Sequence, residues 1–134
     1  MKAKNGKKEN VKKKPKKGEQ VSKVMIFVKS TYNNTMISIS DLEGNVLSWS
    51  SPGVIGYTGS RKSTAYAATK AAEDAVEKAA KFGIKEAQVF VKGAGMGRQA
   101  AVKGIRSAGL KITQLSDHTP IPHGGVRPRK LPRK

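Results

Sequence analysis

Five consecutive apolar residues, Val24–Val28, are the feature that most constrains the fold of this chain. An uninterrupted run of this kind, rich in β-branched and aromatic side chains, predicts a strand that lies at the centre of a sheet and is buried on both faces. Two further strand patterns follow the turn-rich stretches STYNN and DLEGN. Ile37 and Ile39 alternate with serines in the first pattern, and Leu47 and Trp49 share a face in the second. Together the three segments predict an antiparallel meander.

A long helix is the next predicted element. It follows a loop of about ten residues that is rich in Gly and Ser, a length that hints at function. In RKSTAYAATKAAEDAVEKAAKFG, small apolar residues recur at steps of three and four, which places them on one face of a helix that ends at Gly83. Because most of them are alanines, this helix can approach a sheet closely. The residues predicted to face inward are Ala65, Ala68, Ala72, Ala75, Val76, Ala79 and Phe82.

The rest of the chain alternates between strand and helix. EAQVFVK and LKITQLS are predicted strands, and between them a glycine turn leads into a second helix. Gly104 weakens this helix by about 1 kcal/mol relative to Ala. With right-handed crossovers, the whole order predicts an α/β fold in which a mixed five-stranded sheet is flanked by helices. The residues of the second helix predicted to face inward are Ala101, Val102, Ile105 and Ala108.

Positive charge is concentrated at the two ends of the chain. Residues 1–20 carry a net charge of +7 and residues 118–134 a charge of +5, together +12 of the net +18. Residues 21–117 hold nearly all the large apolar side chains, so we predict one folded domain there. The two basic ends are expected to be disordered unless a partner orders them, because they offer little apolar surface. Such runs are often merely solvated, but two of them beside a basic core favour a polyanionic partner, and a nucleic acid over a membrane.

Other classes of function are disfavoured by what the sequence lacks. The chain has no cysteine, which excludes disulfides, cysteine-based zinc sites and a thiol nucleophile. It has no apolar stretch of transmembrane length and no secretory signal, so we expect a cytoplasmic location and no membrane partner. The DLEG turn explains Asp41 and Glu43, and His118 and His123 lack the spacing of metal ligands. We therefore predict neither an enzyme nor a bound metal or cofactor.

Two stretches could offer hydrogen-bond donors to a phosphate. The glycine turn Lys92–Arg98 lies between a strand and a helix, so unencumbered backbone N–H groups and the helix N-terminus could cradle the anion. In Gly59–Thr64, three hydroxyls can cap the long helix or donate hydrogen bonds, and Arg61 and Lys62 add cations at the positive end of its dipole. Such misplaced charge costs roughly 0.3 to 1 kcal/mol, which a bound phosphate would reverse. A plain tight turn and a plain capped helix remain the alternatives.

Aromatic side chains could also stack on bases. Trp49 alternates with Leu47, which favours a position in the core over a stacking role. Tyr32, in the STYNN turn, is the better stacking candidate. Asn33 and Asn34 lie beside it, and the stretch fits a simple turn equally well.

Four stretches carry a resemblance to a known family. They are STYNNTMISISDLEGNVLSWSS, GYTGSRKSTAYAA, VKGAGMGRQAAVKGIRSAGLKIT and DHTPIPHGGVRPRK. In unbroken order from about residue 22 to residue 130, they resemble the small-subunit ribosomal protein eleven family in its bacterial form. Two departures stand out. Ala94 and Met96 replace prolines that the family often has in the glycine turn, and Gly124-Gly125 replaces the usual Asn-Gly, so an isoaspartyl modification known in some members cannot form.

The resemblance implies a non-catalytic, ribonuclease-H-like rRNA-binding domain on the platform of the small ribosomal subunit. There it would bridge several helices of the small-subunit rRNA and help form the cleft that holds the Shine-Dalgarno duplex and mRNA near the exit site. The implied protein partners are ribosomal proteins seven and eighteen, with initiation factor three as a further candidate. The residues implied to contact RNA are Asn33, Asn34, Gly59, Ser60, Arg61, Lys62, Ser63, Thr64, Lys92, Gly93, Gly95, Gly97, Arg98, His123, Arg127, Pro128, Arg129 and Lys130.

Two rival functions can be separated from this one by experiment. Composition alone permits a free histone-like compaction protein, which would sediment with the nucleoid rather than with small ribosomal subunits. The implied fold also occurs in nucleases, but magnesium-dependent cleavage requires carboxylates placed to hold two metal ions. We expect cosedimentation with the small subunit and no cleavage.

Overall fold

The structure is a computed structural model in which residues 21–132 are described, and it contains the five strands and two helices that the sequence predicts. The basic extension predicted at residues 1–20 lies outside the described residues. Within residues 21–132, no helix combines the length and the apolar character needed to span a membrane. The elements are β1 (Lys23–Ser30), β2 (Thr35–Ser40), β3 (Val46–Ser50), α1 (Ala65–Ala79), β4 (Glu86–Lys92), α2 (Gly97–Ser107) and β5 (Lys111–Asp117).

The five strands form one mixed sheet in the order β3-β2-β1-β4-β5. Strands β1, β2 and β3 pair antiparallel, whereas β4 pairs parallel with β1 and with β5. The predicted meander, the central position of the first strand and the α/β class are therefore confirmed.

The central strand is buried on one face only, so the prediction of burial on both faces is wrong. Val24, Ile26 and Val28 are at most 1% exposed, but Phe27, which points the other way, is 42% exposed. Side chains of both helices join those three residues in a single core cluster. The topology explains why. The connection from β3 to β4 through α1 and the connection from β4 to β5 through α2 both run in the same direction across the sheet, and right-handed crossovers that run in one direction place their helices on one face. The helices cover one face rather than flanking the sheet.

Helix α1 presents mainly alanines to this covered face. Thr64 caps the helix, because its Oγ1 accepts a hydrogen bond from the Ala67 N–H at 3.2 Å. A short 3-10 turn, Ala80–Phe82, continues the helix to Gly83, whose φ of 70° ends it as predicted. Ala65 is exposed rather than inward, since it is the first residue after the cap. The buried residues of α1 are Ala67, Ala68, Ala71, Ala72, Ala75, Val76 and Ala79.

Helix α2 packs on α1 at a glycine. A Cβ at Gly104 would lie 2.6 Å from the carbonyl oxygen of Thr69 and 3.0 Å from the Cβ of Ala72. The residue that weakens the helix intrinsically is therefore the one that lets the two helices touch. Ala101 and Ile105 are buried as predicted and Val102 packs against the core, but Ala108 is exposed because α2 ends at Ser107.

A β-bulge separates Leu47 from Trp49. Val46 pairs with Ser40 and Ser48 with Ile39, so Leu47 is an extra residue between the two pairs. Leu47 packs against the core, whereas Trp49 lies on the uncovered face of the sheet and is 54% exposed. The predictions that the two share a face and that Trp49 belongs to the core are both wrong, because a bulge breaks the alternation on which they rest.

Candidate nucleic-acid interface

Several of the predicted RNA-contacting segments meet at one end of the sheet. Strands β1 and β4 are parallel neighbours, with Lys29 beside Lys92, so the turns that follow them emerge side by side. One is the STYNN turn after β1, and the other is the glycine turn before α2. Segments that are distant in the sequence are thus brought into contact by the parallel pairing.

The glycine turn lies directly on the STYNN turn. Gly93 has a φ of 98°, and a Cβ built on it would lie 1.9 Å from the carbonyl oxygen of Ser30. A Cβ on Gly95 would lie 2.2 Å from the carbonyl oxygen of Thr31. Real Cβ atoms do not approach backbone so closely, so only glycine fits at both positions without a shift of the two turns.

The N-termini of both helices reach the same end. A Cβ on Gly97, the first residue of α2, would lie 2.0 Å from Thr35 Oγ1 and 2.9 Å from the Cβ of Ala68, near the start of α1. Thr69 Oγ1 also donates a hydrogen bond to the Ala100 carbonyl oxygen at 3.2 Å. Among the described residues, the first turn of neither helix contains an acidic side chain. The positive ends of two helix dipoles therefore lie close together, and neither first turn supplies a carboxylate of its own.

The residues before α1 form a 3-10 turn, Gly59–Ser63, that holds two cations at this end. Thr64 Oγ1 donates to the Arg61 carbonyl oxygen at 2.9 Å, and Ser63 Oγ donates to the Ser60 carbonyl oxygen at 2.7 Å. These hydroxyl protons stabilise the turn itself. Arg61 is exposed and Lys62 is half-buried, so the side chain of Arg61 is the more accessible of the two cations.

Two backbone N–H groups of the glycine turn are already engaged within the chain. The Gly93 N–H donates to Thr119 Oγ1 at 3.1 Å, and the Gly95 N–H donates to the Ser30 carbonyl oxygen at 3.4 Å. The prediction that the turn offers unencumbered N–H groups is therefore wrong for these two glycines. Their role in the fold is close backbone contact.

A small polar network fixes the beginning of the C-terminal segment to the glycine turn. Arg98 forms an ion pair with Asp117, which also accepts hydrogen bonds from the Thr119 hydroxyl and, at 2.9 Å, from the Thr119 N–H. The hydrogen bonds from Thr119 and then the Arg98 guanidinium lower the pKa of Asp117 to about 2. Asp117 and Thr119 were not among the residues predicted from the sequence. An Asp side chain nevertheless often accepts a hydrogen bond from the backbone N–H two residues later, and Thr119 stands at that position. Arg98 has five N–H donors, so this pairing leaves donors for a second anion.

The STYNN turn is held by its own polar groups. The Thr31 N–H donates to the Asn34 carbonyl oxygen at 2.8 Å, and the Thr35 N–H donates to Asn34 Oδ1 at 2.9 Å. Asn34 is thus used to build the turn, while Asn33 and Tyr32 project from it as exposed side chains. Tyr32 remains a predicted stacking residue.

The C-terminal candidate residues lie in an exposed segment of the chain. Beyond Thr119 the chain continues to residue 132 without helix or strand and with exposed side chains. Among the hydrogen bonds and ion pairs of the described residues, none joins the following candidates to the two turns: His123, Arg127, Pro128, Arg129 and Lys130.

A groove of about 720 Å³ adjoins the network, between α2 and β5. Its lining includes the apolar side chains of Val102 and Leu115 and the cations Arg98, Lys103 and Arg106. The cationic character of the candidate interface thus extends along α2.

The fold and the site define a small α/β protein in which a glycine turn, the STYNN turn and two cation-bearing helix N-termini meet at one end of a mixed sheet. Residues 24–133 match the family model described as ribosomal protein S11. The chain belongs to this ribosomal protein family, so the resemblance seen in its sequence motifs is confirmed.

Relatives from the chlamydial group are similar over most of their length. The small ribosomal subunit protein uS11 of Protochlamydia amoebophila (strain UWE25) is 51% identical over 123 residues, which cover 92% of this chain and 91% of the relative. The uS11 of Chlamydia pneumoniae is 54% identical over 106 residues, or 79% of this chain and 80% of the relative. The uS11 of Chlamydia muridarum (strain MoPn / Nigg) is 48% identical over 126 residues, which cover 92% of this chain and 96% of the relative. The protein is accordingly a structural component of the ribosome rather than an enzyme.

Proposed function

We propose that this chain binds small-subunit rRNA through the end of the sheet where the two turns and the two helix N-termini meet. The observation that carries the proposal is the clustering of Arg61, Lys62 and Arg98 around helix N-termini whose first turns, within the described residues, contain no carboxylate. An RNA phosphate supplies the missing negative charge and accepts hydrogen bonds from N–H groups. Contacts of this kind position a protein on RNA by shape and charge rather than by sequence.

The proposed location is the platform of the small subunit, where the domain bridges several rRNA helices. It helps to form the cleft for the Shine-Dalgarno duplex and mRNA near the exit site, beside ribosomal proteins seven and eighteen, with initiation factor three as a further candidate partner. The strand order β3-β2-β1-β4-β5, with its antiparallel meander and two parallel additions, supports the ribonuclease-H-like fold that the family resemblance implies together with this location. The full set of RNA-contacting residues given above belongs to the same proposal.

The domain limits fit this function. We propose that residues 21–117 form the folded domain and that residues 118–134, like residues 1–20, are a basic extension threaded between RNA elements. Ile121, Val126 and Leu131 are at least 71% exposed, so their apolar surface is available to a partner. Ordering such a segment costs about 1 to 2 kcal/mol per residue, so many phosphates must be neutralised in compensation.

Binding of the full chain to protein-free small-subunit rRNA at several salt concentrations tests the proposal. If about eight phosphates are engaged, log affinity falls with log salt with a slope near −6. The double variant Arg61→Ala/Lys62→Ala should weaken binding and reduce the magnitude of this slope by about 1.5. Lys81→Ala/Lys85→Ala is the matched control, because it removes the same charge beyond the C-terminal end of α1, and its slope should stay near that of the unmodified chain. A nearly flat salt dependence, or an equal change in both double variants, would refute the proposed interface.

A further inference from the structure

The face of the sheet that the helices leave uncovered carries a row of aromatic side chains. Trp49 pairs with Ser38, Ser38 with Phe27, Phe27 with Phe90, and Phe90 with Ser116, so all five lie side by side across the sheet. Trp49 is 54% exposed and Phe27 is 42% exposed. We call this set the aromatic row.

Two rings of the aromatic row, those of Phe27 and Phe90, are packed against neighbouring rings. Phe27 and Phe90 stack with centroids 5.4 Å apart and an angle of 20° between their planes. The His118 ring packs edge-on against Phe90 at 5.0 Å, and the His118 N–H donates to the Val91 carbonyl oxygen at 2.8 Å. Rings fixed before binding lose little conformational entropy when a ligand stacks on them.

Lysines flank the aromatic row. On one side of the row, Lys29 lies between Met36 and Lys92 of the neighbouring strands. Lys29 is one same-face step from Phe27, or about 7 Å along the strand. On the other side, two same-face steps or about 13 Å along the strands, Glu86 lies between Lys23 and Lys111 in the strand pairing. Among the residues that the five described strands pair on this face, Glu86 is the one with a carboxylate, and its two neighbours in the pairing are lysines. The face is therefore apolar in the middle and cationic at both ends.

We propose that the aromatic row binds unpaired RNA bases by stacking, with the flanking lysines neutralising the phosphates of the same strand. Unpaired nucleotides supply both features that this face complements, flat π surfaces for the rings and a negative charge on each linkage for the lysines. Ser38 and Ser116 lie within the row, and their hydroxyl groups can pair with base edges. The surface continues through Lys92 into the candidate interface, but it contacts bases where that interface contacts phosphates.

Trp49 provides a direct measurement, because it is the only tryptophan of the chain. The full chain is mixed with an unpaired oligoadenylate of about eight nucleotides, with duplex RNA of the same length, and with inorganic polyphosphate. The unpaired RNA should quench Trp49 fluorescence, because a base stacks on the indole ring. Duplex RNA and polyphosphate bind the cationic ends of the chain and should leave the fluorescence nearly unchanged. Equal quenching by polyphosphate would overturn the proposal.

Phe27→Leu is the test variant, since leucine keeps the apolar bulk and removes the aromatic face. It should weaken the quenching interaction about tenfold. Tyr66→Leu is the control, since Tyr66 is an aromatic residue of α1 that is 63% exposed and does not belong to the aromatic row. Equal affinities for both variants, or no quenching by unpaired RNA at all, would overturn the proposal and leave a protein partner as the occupant of this face. If Phe27→Leu does not fold, Lys29→Gln is the deciding variant. It removes one cation beside the row, so the slope of log affinity against log salt for oligonucleotide binding should fall in magnitude by about 0.7.

The outcome is separable from that of the proposed function. Arg61→Ala/Lys62→Ala should weaken rRNA binding but keep the base-dependent quenching of Trp49. Loss of the quenching in that variant would show that one surface accounts for both signals, which would overturn the aromatic row as a separate site.

Discussion

Replacing Gly93 by alanine tests whether the glycine turn rests directly on the end of β1. The new Cβ would lie 1.9 Å from the carbonyl oxygen of Ser30, 3.0 Å from its carbonyl carbon and 3.4 Å from its nitrogen. All three atoms belong to the backbone of the central strand. The overlap can therefore be relieved only by moving the turn away from that strand.

Two costs add at this position. A positive φ disfavours an alanine by about 1 to 2 kcal/mol, and forcing an extra carbon into a packed site typically costs about 1 to 3 kcal/mol. We therefore expect Gly93→Ala to lower the free energy of unfolding by about 2 to 5 kcal/mol. Gly44→Ala is a matched control: its φ is 95°, close to the 98° of Gly93, and none of the described atoms lies within 4 Å of its Cβ position. It should lose only about 1 to 2 kcal/mol.

Equilibrium unfolding in urea, followed by far-ultraviolet circular dichroism, measures the difference between the two variants. The reduced entropy of the unfolded chain after a Gly-to-Ala change is common to both, so it cancels in the comparison. Gly93→Ala should be less stable than Gly44→Ala by about 1 to 3 kcal/mol, and a Gly93→Ala chain that fails to fold while Gly44→Ala folds gives the same answer. Equal unfolding free energies would show that the turn does not lie against Ser30.

Three further perturbations follow from the structure. Thr64→Ala should cost about 1 kcal/mol in urea unfolding, because it removes the N-cap of α1, whereas Thr64→Ser should restore most of the loss. Ile26→Ala, on the covered face, should cost about 2 to 5 kcal/mol, whereas Met36→Ala, on the uncovered face, should cost under about 0.5 kcal/mol; similar losses would contradict the one-sided core. The pKa of Asp117 is lowered to about 2, so its carboxylate stabilises the folded state above its ordinary pKa near 4, and this contribution is lost as the pH falls toward 2. An NMR pH titration that follows the Thr119 amide proton should show a transition with its midpoint near the Asp117 pKa of about 2. That transition should be absent in the Asp117→Asn variant.

The order of the elements could be predicted because each depends on local sequence. The serines that alternate with Ile37 and Ile39 mark a strand, and Gly83 marks the end of the helical pattern. The covered face could not be read in the same way from Val24–Val28, because a run that is apolar at every position hides the alternation that would show one exposed side. The direction of the two crossovers contained this information, since right-handed connections in one direction place both helices together.

The motifs of the candidate interface were predicted separately, but the contact between them could not be predicted from the sequence. Glycine indicates backbone freedom, which serves a phosphate cradle and a close backbone contact equally well. The contact of Gly93 with Ser30 depends on the parallel pairing of β1 with β4, and no local pattern specifies that pairing. Trp49 was misassigned for a related reason: the bulge inserts one extra residue, Leu47, and so shifts the alternation on which the assignment depended.

The electrostatics of the turn-and-helix end link the fold to the proposed partner. Arg61 and Lys62 precede α1 and Arg98 lies in the first turn of α2, where a cation costs about 0.3 to 1 kcal/mol. Before the compensation of Arg98 by Asp117 is counted, three such charges amount to at most about 3 kcal/mol, against a domain stability of about 5 to 15 kcal/mol. Asp117 compensates Arg98 from a neighbouring strand, but a carboxylate in either first turn would have compensated the helix dipole more directly, and none of the described residues there provides one. The free domain therefore gives up stability at the end where an external polyanion would restore it, so binding of RNA there is expected to raise the stability of the fold as well as to position it.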